Sequence, residues 1–574
     1  MRWTIVPIPQ QEQHGQASHS GTPWTRQCSD CICPNAQSLG RIHVEERMRT
    51  SSILNDVLGP VMRGPSSSHN AAAYAIACLV RQLLNRPLTS AKFTFDEGSS
   101  FAEVFRHHGS DMSFAAGTLG LPVTDAQFDK ALELADANGV AITFAIERLP
   151  GADHPNTVDI EMTSQDGRRL SARAKSTGGG AFTITAVHGW PTNLLGDAYN
   201  VLVLGDREGA SRARQILLQD GHLLGDIVWH EQGEQVLVQA RRQYPLSADL
   251  GRQLETLPGV KGFWYASPSF LPKPGQPIFA SAREMVQLAE TRRASLGQLA
   301  LAYEATLLGM RESDVVAEVV KRYQVMRAAV SQGLEGRGIH MQFLRPAAGN
   351  IFRQEAAGRL PVGGIHTRAA ARALAVMHVN ASHGLVVAAP TGGASGALPG
   401  AVVTLAEEKG LSEEEIALGL LAASAVGLIV DMRATFAAEV AGCQVEIGVA
   451  GAMAAAAVVE MAGGSASQAA NAAAIALQNA MGSVCDLVQG AVEIPCHTRN
   501  ASAAAAAFVC ADLAMGGYAN PIPLDETIDA MLSVGTMLPC ELRCTGRGGL
   551  SQTPSALALP NLRVERGHSL DALQ

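Results

Sequence analysis

The sequence predicts a multidomain protein with an α+β N-terminal domain, a small βαββαβ insert and an all-α C-terminal domain. Three observations lead to this fold class. The chain has 574 residues, which is about four times the ~150 residues typical of one domain. Short runs of alternating apolar and polar residues, typical of strands, occupy the first half. After Pro272 helical periodicity takes over, and all five tryptophans lie before that point, the last at Trp264.

The first domain is predicted to begin after an irregular extension. Residues 1–47 are rich in Gln, Ser, His and Pro and are predicted to be disordered, and their CSDCIC cysteines have no second ligand cluster nearby. Residues 48–195 form the α+β domain. An alanine-rich helix runs from Asn70 to Leu84, short alternating strands follow, and three glycines at 178–180 indicate a turn between two of them.

The small insert is predicted over residues 196–270. A strand, an amphipathic helix, a hairpin around Gly233, a second helix and a last strand give the order βαββαβ, which is typical of a ferredoxin-like (ACT-like) sandwich. Residues 278–560 are predicted to be all-α and to include the long helices Met285–Met310 and Glu312–Gln332, and residues 561–574 form a tail.

Composition excludes several classes of protein. A net charge of −9 and an isoelectric point near 6.0 do not attract nucleic acid or anionic membranes. The most apolar run, Ile416–Val430, is shorter than the ~18 residues that a membrane span needs. Ten cysteines are too few for a disulfide scaffold, and the N-terminus does not resemble a signal peptide. The sequence therefore predicts a soluble, cytoplasmic protein.

Three cysteines in the helical half carry candidate metal chemistry. Cys443, Cys485 and Cys496 each stand beside polar residues within very apolar surroundings. An isolated cysteine such as Cys510 is more often a small buried hydrophobe. Three thiolates without an obvious fourth suit an iron–sulfur cluster with one open iron, which can act as a Lewis acid. Spacing by itself leaves a zinc site open.

Three motifs surround these cysteines: AGCQVEIG around Cys443, CDLVQGAVEIPC from Cys485 to Cys496, and RNA at Arg499–Ala501. In these motifs the sequence resembles the iron–sulfur-dependent L-serine dehydratases. Further similar motifs follow in the family's order: GPSSSHN at Gly64–Asn70, HHGSD at His107–Asp111, HPNT at His154–Thr157, STGGG at Ser176–Gly180, APTGGASGALPG at Ala389–Gly400 and GRGGLSQTP at Gly546–Pro554. The resemblance covers roughly residues 51–558.

The resemblance implies a [4Fe–4S] cluster held by Cys443, Cys485 and Cys496. Its unique iron would bind the carboxylate and 3-hydroxyl of an amino-acid substrate. Elimination of water from L-serine, as in amino-acid degradation, would then yield pyruvate and ammonia. The resemblance also implies a homodimer.

Other site residues follow from the same motifs. His69 is the candidate base, and Ser66, Ser67 and Ser68 are candidates to bind the substrate carboxylate or, alternatively, to cap the following helix. His108 and Asp111 are interpreted as a supporting pair beside the substrate. The glycine-rich loop after Pro390 is predicted to turn its amides towards the substrate, which adds Thr391, Gly392, Gly393 and Ser395.

Departures from the family pattern leave alternatives open. Asn70 stands where threonine is usual, Cys544 stands where a glutamate is typical, and no cysteine ends the chain. A substrate other than L-serine, such as L-cysteine, therefore stays open, as does a non-catalytic iron–sulfur sensor. A pyridoxal-phosphate enzyme is disfavoured because the helical half after Lys273 offers only Lys321 and Lys409, both in charged helical settings.

Overall fold

The computed structural model describes residues 50–560. The predicted extension 1–47 with Cys28, Cys31 and Cys33, and the predicted tail 561–574, lie outside the described residues. The strands are β1 Val61–Arg63, β2 Leu88–Asp96, β3 Ala141–Glu147, β4 Thr157–Ser164, β5 Arg169–Gly178, β6 Ala181–Val187, β7 Trp190–Leu194, β8 Tyr199–Asp206, β9 Val228–Gln232, β10 Gln235–Arg242, β11 Val260–Ala266 and β12 Leu385–Val387.

The helices divide into a few in the first half and a long series in the second. They are α1 Ala72–Leu84, α2 Ser100–Val104, α3 Ser110–Leu119, α4 Ala131–Ala137, α5 Arg207–Asp220, α6 Ala248–Glu255, α7 Ala282–Arg292, α8 Leu296–Leu308, α9 Glu312–Glu335, α10 Ala348–Ala356, α11 Ile365–Ala381, α12 Ala397–Lys409, α13 Glu413–Arg433, α14 Ala438–Ala441, α15 Ile447–Met461, α16 Ala466–Ala480, α17 Cys496–Met515, α18 Leu524–Met537 and α19 Pro554–Leu557. The prediction of a β-sheet N-terminal region followed by a helical C-terminal part is confirmed.

A six-stranded sheet forms the body of the N-terminal region. Its strand order is β3-β2-β4-β5-β6-β7, in which β2 and β3 run parallel and the other pairs are antiparallel. Helices α1 and α3 pack together beside it, and α1 contacts β5 and β6. The apolar residues on the covered face alternate along each strand, as a sheet with one buried face requires. This packing fixes the N-terminus of α1, which follows the SSSH motif.

A second, four-stranded antiparallel sheet follows in the chain. The elements β8, α5, β9, β10, α6 and β11 have the order βαββαβ, and the strands lie side by side as β11-β8-β10-β9. Its own apolar core contains residues of both helices and of the sheet, such as Ala213, Leu217, Val238 and Leu254. The helices begin with side-chain caps from Asp206 and Ser247.

The helical region forms the largest hydrophobic core of the described chain. Alanine and glycine let its helices approach closely, and the most extensive helix pairs are those of α15 with α13 and of α15 with α16. One part of the prediction is wrong here: the region is not all-α. Strand β12 lies between α11 and α12 and pairs antiparallel with β1, with Val61 opposite Val387. The turn Ile53–Val57 also packs into this helical core.

The β1–β12 ribbon brings the two halves of the chain together. Gly64 N donates to Gly384 O at 3.1 Å, and Ala388 N donates to Pro60 O at 3.1 Å. The chain leaves β1 directly into the SSSH motif and leaves β12 directly into the glycine-rich loop. Two motifs that are more than 300 residues apart are therefore held side by side.

The predicted helix Met285–Met310 is in fact two helices. Helix α7 ends at Arg292, the next residue Arg293 has a φ of 54° in the left-handed region, and Ser295 is the N-cap residue of α8. Ser295 and Gln298 form a reciprocal capping box, a signal present in the sequence but masked by continuous apolar periodicity.

Within residues 50–560, two helical segments are long and apolar enough to cross a membrane by length and composition alone. They are Glu413–Arg433 and Cys443–Met461, and 83% of the apolar window of each is buried inside the protein. Such burial is typical of core helices in soluble proteins.

We expect Glu304 to be a major contributor to the stability of the helical core. Its fully buried carboxylate accepts from Ser52 Oγ at 2.5 Å, Ile53 N at 2.8 Å and Leu54 N at 2.9 Å. Glu304→Ala leaves these buried donors unpaired, so the free energy of unfolding should fall by about 3 kcal/mol. Urea unfolding measures the loss, and the exposed Glu290→Ala is the control. Equal midpoints for the two variants would contradict the expectation.

Candidate active site

The three predicted cysteines converge in one buried cluster. Cys443 begins the short turn that leads into α15, Cys485 lies in the loop after α16, and Cys496 is the first residue of α17. All three are nearly inaccessible, with exposures of 2%, 1% and 4%, and they pack with Ile447, Leu487 and other apolar side chains. The loops that carry them come from the ends of helices, where the chain is free to turn inwards.

Hydrogen bonding shifts the pKa values of the cysteine thiols in this cluster in opposite directions. Arg499 Nη1 lies 3.5 Å from Cys443 Sγ, and Arg499 Nη2 donates to Asp486 Oδ1 at 2.9 Å. A hydrogen bond from Cys485, together with Arg499, lowers the pKa of the Cys443 thiol despite its burial. The same bond raises the pKa of Cys485, which acts as the donor. Cys443 is therefore the sulfur most readily held as a thiolate, the form that binds metals.

Further donors surround the sulfurs. Cys443 Sγ, Cys485 Sγ and a carboxylate oxygen of Glu446 all lie within 4.8 Å of one another. The thiol of Cys544 hydrogen-bonds with Cys485. Cys496 and Cys544 line one cavity together with Cys485 and Glu446. A set of buried thiols of this kind fits a soft metal centre, either an iron–sulfur cluster or zinc.

His69 lies in the wall of the same cavity and is held from both sides. Ser66 Oγ and Ser68 Oγ lie 3.1 and 3.0 Å from His69 Nδ1, and Ser100 Oγ lies 2.9 Å from Nε2. Its ring packs edge-on against Phe101 at 5.2 Å between centroids. The pKa of His69 is well below its usual value, because burial and then the neighbouring His108 disfavour the charged form. His69 is therefore neutral at neutral pH.

The SSSH motif forms a wide, π-helical turn, Ser67–Ala71, before α1. Ser66 is the N-cap residue, but its side chain makes no capping hydrogen bond, so the alternative that these serines simply cap the helix is wrong for Ser66. Ser67 Oγ accepts from Gly392 N at 3.2 Å instead. The serine hydroxyls thus position the histidine and the glycine-rich loop.

His108 is brought to the cavity, whereas Asp111 is not among its lining residues. The His108 ring lies 4.8 Å from that of His69, and His108 Nε2 lies 2.6 Å from Gly490 O. Burial lowers the pKa of His108 to about 4. Asp111 accepts from Met112 N at 2.9 Å in the first turn of α3. A functional pairing of Asp111 with His108 stays a prediction.

The glycine-rich loop is anchored to the cysteine helix. Asn500 Oδ1 accepts from Gly396 N and Ala397 N, both at 3.1 Å, while Asn500 Nδ2 donates to Gly393 O and Cys496 O, both at 2.9 Å. Asn500 belongs to the RNA motif, which the sequence matched without giving it a role.

Only one of the four predicted loop residues lines the cavity. That residue is Gly393, whose position would place a Cβ 3.8 Å from a Glu446 oxygen. Thr391 and Gly392 are buried and are not among the residues that line the cavity. Ser395 points away, since its hydroxyl contacts Met377 Sδ at 3.7 Å. The glycine turn 178–180 joins β5 to β6, and none of its residues lines this cavity.

Two partly buried carboxyl groups were missed from the sequence. Glu439 in α14 hydrogen-bonds to Ser68, and burial raises its pKa. Burial also raises the pKa of Glu446 well above its usual value, and the nearby Cys443 adds to this. Both line the cavity, so proton-carrying groups face the sulfurs and His69. The available signal was an acidic residue on each side of Cys443 within an otherwise apolar stretch.

Comparison with known proteins places this site in a family. Residues 261–551 match the model of the serine dehydratase alpha chain family. The chain is 36% identical over 282 residues to the probable L-serine dehydratase alpha chain of Bacillus subtilis (strain 168), covering 49% of this chain and 94% of that protein. It is also 36% identical over 272 residues to the L-serine dehydratase alpha chain of Peptoniphilus asaccharolyticus, covering 47% and 93%.

A longer relative shows the same level of similarity. L-serine dehydratase TdcG of Escherichia coli (strain K12) is 35% identical over 286 residues, which are 48% of this chain and 61% of that protein. The match covers nearly the whole length of the two separate alpha chains, and in this protein the matched residues 261–551 carry all four cysteines of the buried cluster. The chain therefore belongs to the L-serine dehydratase family, a family of lyases.

Proposed function

We propose that the protein is a [4Fe–4S]-dependent ammonia-lyase that eliminates water from L-serine and yields pyruvate and ammonia. One observation carries the proposal: a single cavity is lined by Cys485, Cys496, His69 and Ser68, which come from opposite halves of the chain. The relatives bearing the name L-serine dehydratase supply the reaction class. The cavity supplies sulfur donors and a neutral base within the same enclosure.

The metal ligands in this proposal are Cys443, Cys485 and Cys496. Their burial among apolar side chains suits a cluster that must be kept from water, and Arg499 offsets part of the thiolate charge. When bound, the cluster would supply a Lewis-acidic iron that makes hydroxide a tolerable leaving group. Zinc, the alternative from spacing, is distinguished by measuring acid-labile sulfide and iron in the purified protein.

His69 removes the α-proton in the proposed mechanism. It is neutral and fixed by three hydroxyl groups, which reduces the reorganisation needed when a proton arrives. Ser68 Oγ lies between His69 Nδ1 and the Glu439 carboxyl, so these groups form a short path along which a proton can move. After elimination the aminoacrylate is released, becomes the imine and is hydrolysed to pyruvate and ammonia.

Substrate positioning is assigned to the polar walls of the cavity. Ser66 and Ser68 present hydroxyl groups there, and Gly393 leaves space where a side chain would narrow it. We assign the substrate carboxylate to this side, beside the SSSH turn. His108, bound to Gly490 O, closes the wall behind His69 and helps to exclude water.

The pH dependence of the reaction should reflect the buried histidines. Because burial lowers the pKa of His69, the residue keeps its basic, neutral form as the pH falls through 6.5. We expect kcat/KM for L-serine to hold its value down to at least pH 6 and to decline only at lower pH. A pH–rate profile at constant ionic strength measures this. An acid limb with an apparent pKa near 6.5 would contradict the environment described for His69.

The proposed activity is tested with protein reconstituted anaerobically with iron and sulfide. L-Serine, L-threonine and L-cysteine are supplied in parallel, and keto acid and ammonia are measured. We expect pyruvate and ammonia in equal amounts from L-serine. Faster turnover of L-cysteine than of L-serine would identify a 3-thio amino acid as the substrate. An intact cluster with no turnover of any of the three would contradict the lyase proposal.

A non-catalytic iron–sulfur sensor is the second candidate function, and Cys544 is the observation that favours it. A sensor cluster has all its irons bound by protein, and Cys544 packs as a fourth cysteine against Cys443, Cys485 and Cys496. The lyase is preferred because two carboxyl groups and a neutral histidine face the sulfurs. A sensor has no need of proton carriers at its cluster.

Further features complete the proposal. The strand order β11-β8-β10-β9 supports an ACT-like fold for the insert 196–270, which we propose as a regulatory unit. We also propose a homodimer in the cytoplasm that has no membrane or nucleic-acid partner, in keeping with the net negative charge.

A further inference from the structure

Cys544 is joined to the cysteine cluster by its backbone. Cys485 N donates to Leu542 O at 2.8 Å, and Cys544 N donates to Cys485 O at 2.8 Å. These bonds form a short bridge between Cys485 and the segment 542–544. They do not depend on any bound group, so the protein itself holds the two cysteines next to each other.

Cys544 lines the same cavity as Cys485 and Cys496. Its thiol hydrogen-bonds with Cys485, and it packs against the buried cluster that contains Cys443 and Cys496. Cys540, which lies four residues earlier, does not line the cavity. Four sulfur donors therefore lie in one packed cluster, whereas the family motifs account for three.

The backbone at Cys544 is strained. Its φ is 64°, in the left-handed region that non-glycine residues rarely adopt. Neighbouring hydrogen bonds hold this conformation, among them Thr545 Oγ1 to Glu541 O at 2.9 Å. Strain of this kind persists where the surroundings impose it and is concentrated at functional sites. Here it accompanies a thiol that reaches the cavity.

We propose that Cys544 is a fourth sulfur donor of the metal centre, completing the coordination made by Cys443, Cys485 and Cys496 while no substrate is bound. The inference rests on the proposed function. The substrate carboxylate displaces the Cys544 thiolate, so that one iron–sulfur bond breaks and one iron–oxygen bond forms. One anion replaces another and no electron is transferred. In the resting protein the Cys544 thiolate thus occupies the coordination position on the iron that the substrate must reach.

Mössbauer spectroscopy of protein reconstituted with iron-57, without substrate, tests the inference. The variant is Cys544→Ser, and the matched control is Cys540→Ser in the same segment. We expect only sulfur-coordinated iron in the unmodified protein and in the control. In Cys544→Ser one iron should show the higher isomer shift of mixed sulfur and oxygen coordination. Identical spectra for the unmodified protein and Cys544→Ser would overturn the inference.

Alkylation gives a second readout that does not depend on turnover. Iodoacetamide followed by peptide mass spectrometry should find Cys544 protected in the loaded protein and modified once L-serine is added. Cys540 should react equally in both states. Reaction of Cys544 at one rate with and without the metal centre would overturn the inference.

The two proposals fail in different ways. If the metal centre is intact and its Mössbauer spectrum is the same with and without Cys544, the role of Cys544 is overturned and the proposed function is unaffected. Protein that takes up neither iron nor sulfide overturns both. Circular dichroism and thermal unfolding of Cys544→Ser establish that the variant is folded before its spectrum is interpreted.

Discussion

Cys485→Ala is expected to abolish both the iron–sulfur chromophore and the turnover of L-serine. Cys485 is the most central sulfur, because it hydrogen-bonds to both Cys443 and Cys544. Its loss removes a ligand and leaves the cluster open to water. Without the Lewis acid, elimination should slow by roughly a thousandfold or more. Iron and sulfide content, the visible absorption spectrum and pyruvate formation measure the effect under anaerobic conditions.

Cys510→Ala is the matched control for this variant. Cys510 is equally buried, with 1% exposure, but it lies in the helical core and its sulfur contacts Asn479 Nδ2 at 3.9 Å. The substitution removes the same atoms from a similarly apolar place, so it should cost some stability and spare the metal centre. If Cys485→Ala kept full iron content and full rate, the assignment of this cysteine as a ligand would be wrong.

His69→Gln is expected to lower kcat for L-serine by roughly 10²–10⁴-fold. Glutamine can keep hydrogen bonds to the surrounding serine hydroxyls but cannot accept the α-proton. The metal centre is held by residues of the other half of the chain, so its spectrum should stay unchanged. Exchange of the substrate α-proton with deuterated solvent, measured by NMR, should be lost together with the rate.

Ser100→Ala serves as the control for a purely positioning effect at the same histidine. It removes the hydroxyl 2.9 Å from His69 Nε2 and leaves the two contacts at Nδ1 in place. We expect a decrease in kcat of about tenfold or less, since one hydrogen bond is worth about 1 kcal/mol. Unchanged kcat and α-proton exchange in His69→Gln would remove His69 from the mechanism.

The cysteine ligands could be predicted from the sequence because the residues next to each cysteine identify it. Thiols flanked by polar residues in an apolar stretch are unusual, and the family motifs surround them. The role of Cys544 was not accessible. Nothing in the segment ELRCTGRGG indicates that its backbone bonds to Cys485, which lies 59 positions away in the chain.

The serines and the acidic residues illustrate the same limit. A run of serines before a helix suggests capping or anion binding, but the structure uses Ser66 and Ser68 to hold His69 and Ser67 to hold Gly392. Glu439 stands close to a candidate cysteine in the sequence, yet its proximity to Ser68 depends on how the two halves pack. The helix predicted over 285–310 is interrupted at Arg293 by a turn. Apolar periodicity continues through this turn, so it could not reveal the interruption.

The sequence by itself determined the division into a sheet-rich first half and a helical second half, the family, and the residue types able to bind metal. Periodicity and motif chemistry are properties of neighbouring residues, so they can be interpreted without a fold. Only the tertiary structure decided which groups share the cavity. The β1–β12 ribbon joins Val61 to Val387 across more than 300 residues, and the free energy of such a contact comes from the packing of the whole core rather than from either segment.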